Sequence, residues 1–127
     1  AWIWGDFGAN ATARVDLRVG GTFEGTADLG REGRGGMRGM YLVVEPARRL
    51  THTLHWDASV GYNGPGMDPL DEVVVVDFLP DAAGCRVRYV HLGIPDDGRS
   101  APGHEKAVRG TFDALERRLA AAPSGNE

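Results

Sequence analysis

The chain has 127 residues, 42% of them apolar, with 14 Lys plus Arg against 18 Asp plus Glu and a net charge of -4. That length supports one hydrophobic core and excludes a multidomain enzyme. The mixed charges form no basic stripe, so a nucleic-acid partner is not expected. The 19 glycines follow no collagen-like period; they read as turns, bulges and close backbone approaches, which argues against an all-helical bundle.

Lys106 is the only lysine, so Schiff-base chemistry has a single possible position. Cys85 is also alone; no intrachain disulfide forms, and a reducing, cytoplasmic setting is expected. The longest apolar runs, Met40 to Val44 and Val73 to Val76, fall far short of the roughly 20 residues that cross a bilayer, so no membrane partner is expected. The opening Ala1-Trp2-Ile3-Trp4 lacks an initiator Met and the basic start of a secretion signal, and the front of the chain is expected to be processed or truncated.

In chain order, Arg14 to Val19 alternates polar and apolar residues as a half-buried strand does, and Gly20-Gly21 breaks it. Thr22 to Leu29 continues as a second strand with Phe23 on one face and Glu24, Thr26 and Asp28 on the other. A glycine-rich turn, 30–36, leads to a third strand, Met37 to Glu45, ended by Pro46. In the fourth, Arg49 to Asp57, parity sets Leu50, His52, Leu54 and Trp56 on one face. Ser59 to Pro69 reads as a long loop of the kind that covers a site. Glu72 to Leu79 and Cys85 to Leu92 form a hairpin. Asp77 is expected outside, with Val74, Val76 and Phe78 inside; Val87, Tyr89 and His91 share a phase.

One helix follows, over about Ala101 to Ala122, with Ser100 as N-cap and Pro102 in its first turn. Val108, Phe112, Leu115 and Leu119 form its apolar stripe. Six strands and a terminal helix make an α+β fold: a curved antiparallel sheet whose inner face packs on the helix and encloses an apolar cavity. The whole is one domain, residues 1–122, with 123–127 a frayed tail.

The blocks Asp16-Leu17-Arg18-Val19-Gly20-Gly21-Thr22-Phe23, Gly39-Met40-Tyr41-Leu42-Val43-Val44-Glu45-Pro46 with Arg49-Leu50, Thr53-Leu54-His55-Trp56, and His91-Leu92-Gly93 resemble the activator-of-heat-shock-ATPase-like family. That family belongs to the SRPBCC (START/Bet v 1-like) superfamily, and the resemblance runs from Trp2 to Leu119. It implies a helix-grip fold with a central cavity. Superfamily members bind lipids, hormones and polyketide-like molecules, and some catalyse cyclisation or ring hydroxylation. Two departures stand out: the family's first strand and short helices have no counterpart before Trp4, and Ala107-Val108 replaces a Gly-Trp pair in the terminal helix. An edge left bare by the missing strand would be covered by a second copy, so a homodimer is expected.

Tyr89 and His91 are the leading polar candidates: as a pair inside the cavity they orient a ligand or move a proton, and the alternative is a hydrogen-bonded core pair. Trp56 is either a flat wall for an aromatic ligand or core. Arg38 shares a phase with Met40 and Leu42; it either points inward to an acidic partner or reaches solvent. Metal is not expected, because His52 and His55 are three apart in a strand and point to opposite faces, and nothing in the sequence brings His91 to His104 and Glu105. No cofactor motif is present: Gly64-Pro65-Gly66 lacks the Gly-Lys-Ser/Thr of a phosphate loop. Ser59, Ser100 and Ser124 sit in loops or ends, outside any nucleophile elbow. Cys85 reads as a small packing residue, Asp96 and Asp97 as solvated carboxylates, and Arg117-Arg118 as the outer face of the helix.

The expected function is binding of a small apolar or aromatic ligand between sheet and helix. Phe23, Leu42, Leu54, Trp56, Val76, Phe78, Tyr89 and Phe112 are its wall, and His52, Tyr89 and His91 its polar anchors. One alternative is a cyclase-like or dehydratase-like enzyme using His91 or His52. The other is a module that stimulates a chaperone ATPase through its outer sheet face.

Overall fold

The computed structural model describes residues 9–28, 30, 33–57, 72–94 and 96–122. The loop expected over Ser59–Pro69 and the tail 123–127 lie outside them. Among the described residues the chain forms β1 (Ala9–Val15), β2 (Thr22–Asp28), β3 (Arg34–Glu45), β4 (Arg49–Thr53), β5 (His55–Asp57), β6 (Val73–Asp81), β7 (Gly84–Leu92) and α1 (Ser100–Ala121). The order across the antiparallel sheet is β1-β2-β3-β4-β6-β7, with β5 also on β3. Among the described residues no helix is long and apolar enough to cross a membrane.

The first strand lies earlier than the alternation at Arg14 to Val19 suggests. It ends at Val15, and Leu17 and Val19 sit in an exposed turn. Backbone bonds close this turn: Asp16 N donates to Thr22 O at 2.9 Å, and Gly20 N to Tyr41 O at 2.8 Å. Gly20 takes φ +80°, a conformation that favours glycine, so local turn geometry overrides the periodic pattern.

β3 carries the main irregularity. Tyr41 pairs with His52 but Val43 pairs with Thr51, so one extra residue is accommodated between them. This bulge reverses the phase of the strand. Before it Tyr41 is buried, while Met40 and Leu42 are exposed, Leu42 at 43%. Leu42, expected as cavity wall, therefore faces outward, and Arg38 is exposed.

The core is small. Leu54, Val74 and Val76 are buried, with Phe23, Met37, Leu50, Trp56 and Tyr89 packed against them. Fully burying such an aliphatic side chain contributes about 1.5–3 kcal/mol. These residues share the inner face through register: Leu50 pairs with Val76 and His52 with Val74, and on the other flank Val76 pairs with Tyr89 and Val74 with His91. Phe78 has the inward phase but lies near the hairpin end and is 36% exposed. Cys85, in the same hairpin end, is exposed and does not pack.

Asp77 has the outward phase, as expected, yet is only 4% exposed. Its cross-strand neighbours are Arg49 and Arg88. Arg49 Nε donates to Oδ1 at 2.5 Å, and Arg88 Nη2 to Oδ2 at 2.6 Å. Two guanidinium groups thus cover one carboxylate on the outer face.

α1 lies over the inner side of β7, where Phe112 meets Tyr89 edge to face with ring centroids 6.0 Å apart. Ser100 is its first residue, not its cap. Asp97 performs that role: its carboxylate accepts from the backbone N–H groups of Arg99 and Ser100 at 2.8 and 2.7 Å, and from the Ser100 hydroxyl at 2.7 Å. Ala114 is the helix's one buried residue, and Leu119 extends into solvent.

Candidate functional site

On β7, Val87, Tyr89 and His91 alternate inward, and on α1 His104, Val108 and Phe112 recur every fourth residue toward them. The two rows do not close on each other. Between them lies a cavity of about 430 Å³, also lined by Ile94, Ala101, Glu105 and Arg109. Its lining is mixed, with Val87, Ile94, Ala101, Val108 and Phe112 as the apolar part and Tyr89, His91 and His104 as polar groups. At its mouth the Arg109 guanidinium donates to Glu105 Oε1 at 2.8 Å, an exposed i, i+4 ion pair.

The polar corner is formed by three side chains from three elements. Glu72 immediately precedes β6 and has the parity of Val74 and Val76, so its side chain enters the core and is 1% exposed. Its carbonyl accepts from Leu54 N at 3.1 Å, which holds the chain in the sheet there. His91 Nε2 lies 3.1 Å from Glu72 Oε1, and His104 Nε2 lies 3.6 Å from the same oxygen. The two imidazoles meet edge to face at 4.9 Å. His104 Nδ1 is 2.8 Å from the Ser100 carbonyl. A carbonyl only accepts, so this nitrogen carries the hydrogen. His91 Nδ1 and His104 Nε2 are buried with no hydrogen-bond partner.

Tyr89 stands beside this corner, its ring 6.3 Å from that of His91. Burial, with the Glu72 charge as a second cause, pushes its hydroxyl up to about 12, so it is a neutral donor at physiological pH. His52 is lowered, first by burial and then by charge on His91, against the raising effect of its bond to the Thr53 carbonyl. Its Nδ1 donates to that carbonyl at 2.7 Å.

Of the ten residues expected at the site, Tyr89, His91 and Phe112 line the cavity. Leu54 and Val76 belong to the core, with Phe23 and Trp56 packed against it. His52 is held against the Phe23 ring at 4.8 Å. Leu42 and Phe78 are exposed. The cavity thus sits between β7 and α1, not against the middle of the sheet. The structure also brings His91 to His104, a meeting that was not expected, and the carboxylate between them is Glu72, not Glu105. Both had a signal: Glu72 continues the inward phase of β6, and His104 is one turn before Val108 on the apolar stripe.

The family described as Activator of Hsp90 ATPase homolog 1-like protein matches residues 1–120. No curated protein matches significantly. Among solved structures, a protein from Mesorhizobium loti is 26% identical with a TM-score of 0.67, over 88% of this chain and 76% of its own. One from Chromobacterium violaceum is 21% identical with a TM-score of 0.63, over 86% and 73%. A third, from Mycobacterium smegmatis, is 18% identical with a TM-score of 0.64, over 98% and 76%. The extent of the family match and the shared helix-grip fold lead to one conclusion: this chain belongs to the Activator of Hsp90 ATPase homolog 1-like family.

Proposed function

We propose that the chain holds a small, largely apolar or aromatic molecule in the cavity between β7 and α1. The observation that carries this reading is the cavity itself: about 430 Å³, within the roughly 300–1,000 Å³ typical of small-molecule sites, with apolar side chains set beside polar groups. Val87, Val108 and the rings of Tyr89 and Phe112 remove apolar surface from water. The Tyr89 hydroxyl and the imidazoles fix a carbonyl or hydroxyl of the ligand. The protein purified under native conditions should carry a small-molecule adduct by native mass spectrometry, or take up an apolar fluorescent probe at one site. A chain that does neither counts against the reading.

A second reading keeps this cavity and is favoured by the contact between His91 and Glu72. A carboxylate against an imidazole orients the ring and stabilises its charged form, as a general base requires. In a cyclase-like or dehydratase-like reaction, His91→Gln would lower turnover of a polyketide-like substrate by about 10²- to 10⁴-fold. Unchanged turnover would remove that role.

A further inference from the structure

We infer that Glu72, His91 and His104 form a binding site for a divalent transition-metal ion of the Zn²⁺ class at the inner corner of the cavity. The His104 Nδ1–H is committed to the Ser100 carbonyl, so in the neutral ring Nε2 carries a lone pair. That nitrogen is buried without a partner and faces a carboxylate oxygen 3.6 Å away. Two lone pairs facing each other in a solvent-excluded corner repel, and a cation between them removes the conflict.

The spacing suits an ion larger than a proton. Ligand atoms about 2.0–2.1 Å from a tetrahedral metal lie about 3.3 Å apart. The distances from Glu72 Oε1 to the two Nε2 atoms, 3.1 and 3.6 Å, bracket that value. All three ligand atoms fall within 4.8 Å of one another, so modest ring rotation completes the set. The side chains of Glu72, His91 and His104 are 2%, 6% and 10% exposed, which restricts water at the three ligand positions. The Nδ1–H to carbonyl bond of His104 is the outer contact that metal-bound histidines commonly make. Two imidazoles and a carboxylate suit Zn²⁺ and its first-row neighbours better than Mg²⁺ or Ca²⁺. Three protein ligands leave a fourth position for a small molecule.

This deepens the ligand-binding reading by naming what the polar corner holds, but it rests on the three side chains and not on the apolar walls. A Zn²⁺ titration requires no apolar ligand, and a probe titration requires no zinc, so the two fail separately. The test uses the full chain after chelator treatment, with Cys85→Ser to remove the exposed thiol. One Zn²⁺ should bind per chain, shifting the ¹⁵N signals of His91 and His104 while those of His52 and His55 hold. Glu72→Gln and His104→Ala should each weaken binding by about 100-fold or more. If a variant does not fold, the histidine signals of the parent decide. No binding by the parent, binding by both variants as tight as the parent's, or shifts confined to His52 and His55 would overturn the site and leave an imidazolium–carboxylate pair in its place.

Discussion

Asp77 is a carboxylate placed where carboxylates are rarely found, and its two arginines make that placement tolerable. Their hydrogen bonds and charge hold it well below the usual carboxylate range, at about 2. Because the folded value lies below the unfolded one, this stabilisation is fully present above about pH 4 and is lost as pH falls toward 2. Asp77→Asn should lower the thermal midpoint at pH 7 by several degrees and flatten its decline below pH 4. Asp97, also held at about 2, chiefly by its bonds to Ser100, keeps part of that slope in the variant. An unchanged midpoint at pH 7 would show that the pair of arginines adds nothing net.

Gly39 lies at a close approach between β3 and its neighbours. A Cβ there would fall on the Thr53 carbonyl oxygen and within 2.6 Å of the Phe23 ring. Gly39→Ala should destabilise the fold by about 1–3 kcal/mol through overpacking. Gly103 in α1 has open space around its Cβ position, and Gly103→Ala should stabilise by about 0.5–1 kcal/mol. Denaturant midpoints of the two variants check both signs; equal shifts would contradict the close approach at Gly39.

Among the elements, β7 was fully legible in the sequence, because its apolar and polar residues alternate and the phase of Val87, Tyr89 and His91 follows directly. β3 was not. Met40, Tyr41, Leu42, Val43 and Val44 are all apolar, so the run carries no phase, and only the pairing with β4 reveals the bulge that sends Leu42 outward. The helix and the first part of its stripe, Val108 and Phe112, were legible, but Leu119 at the end of the stripe lies in solvent, and the cap was not legible, since Asp97 reaches the N-terminus from a loop. The corner of Glu72, His91 and His104 depends on three elements meeting. Parity and stripe place each side chain inward, but no local rule states that they converge.

For the whole molecule, the core and the cavity occupy different parts of one inner face. Leu54, Val74 and Val76 fill the middle of the sheet, and α1 leaves room toward β7. Apart from Tyr89, which touches both, the core and the cavity use separate side chains, and a variant can close the cavity without emptying the core. The most direct measurement is a titration with an apolar fluorescent probe of the parent chain, Val108→Trp, which fills the cavity, and Leu119→Trp, which adds the same ring in solvent. Saturable binding to one site is expected in the parent and in Leu119→Trp, with at least a tenfold loss in Val108→Trp. Equal binding by all three, or none by the parent, would contradict it.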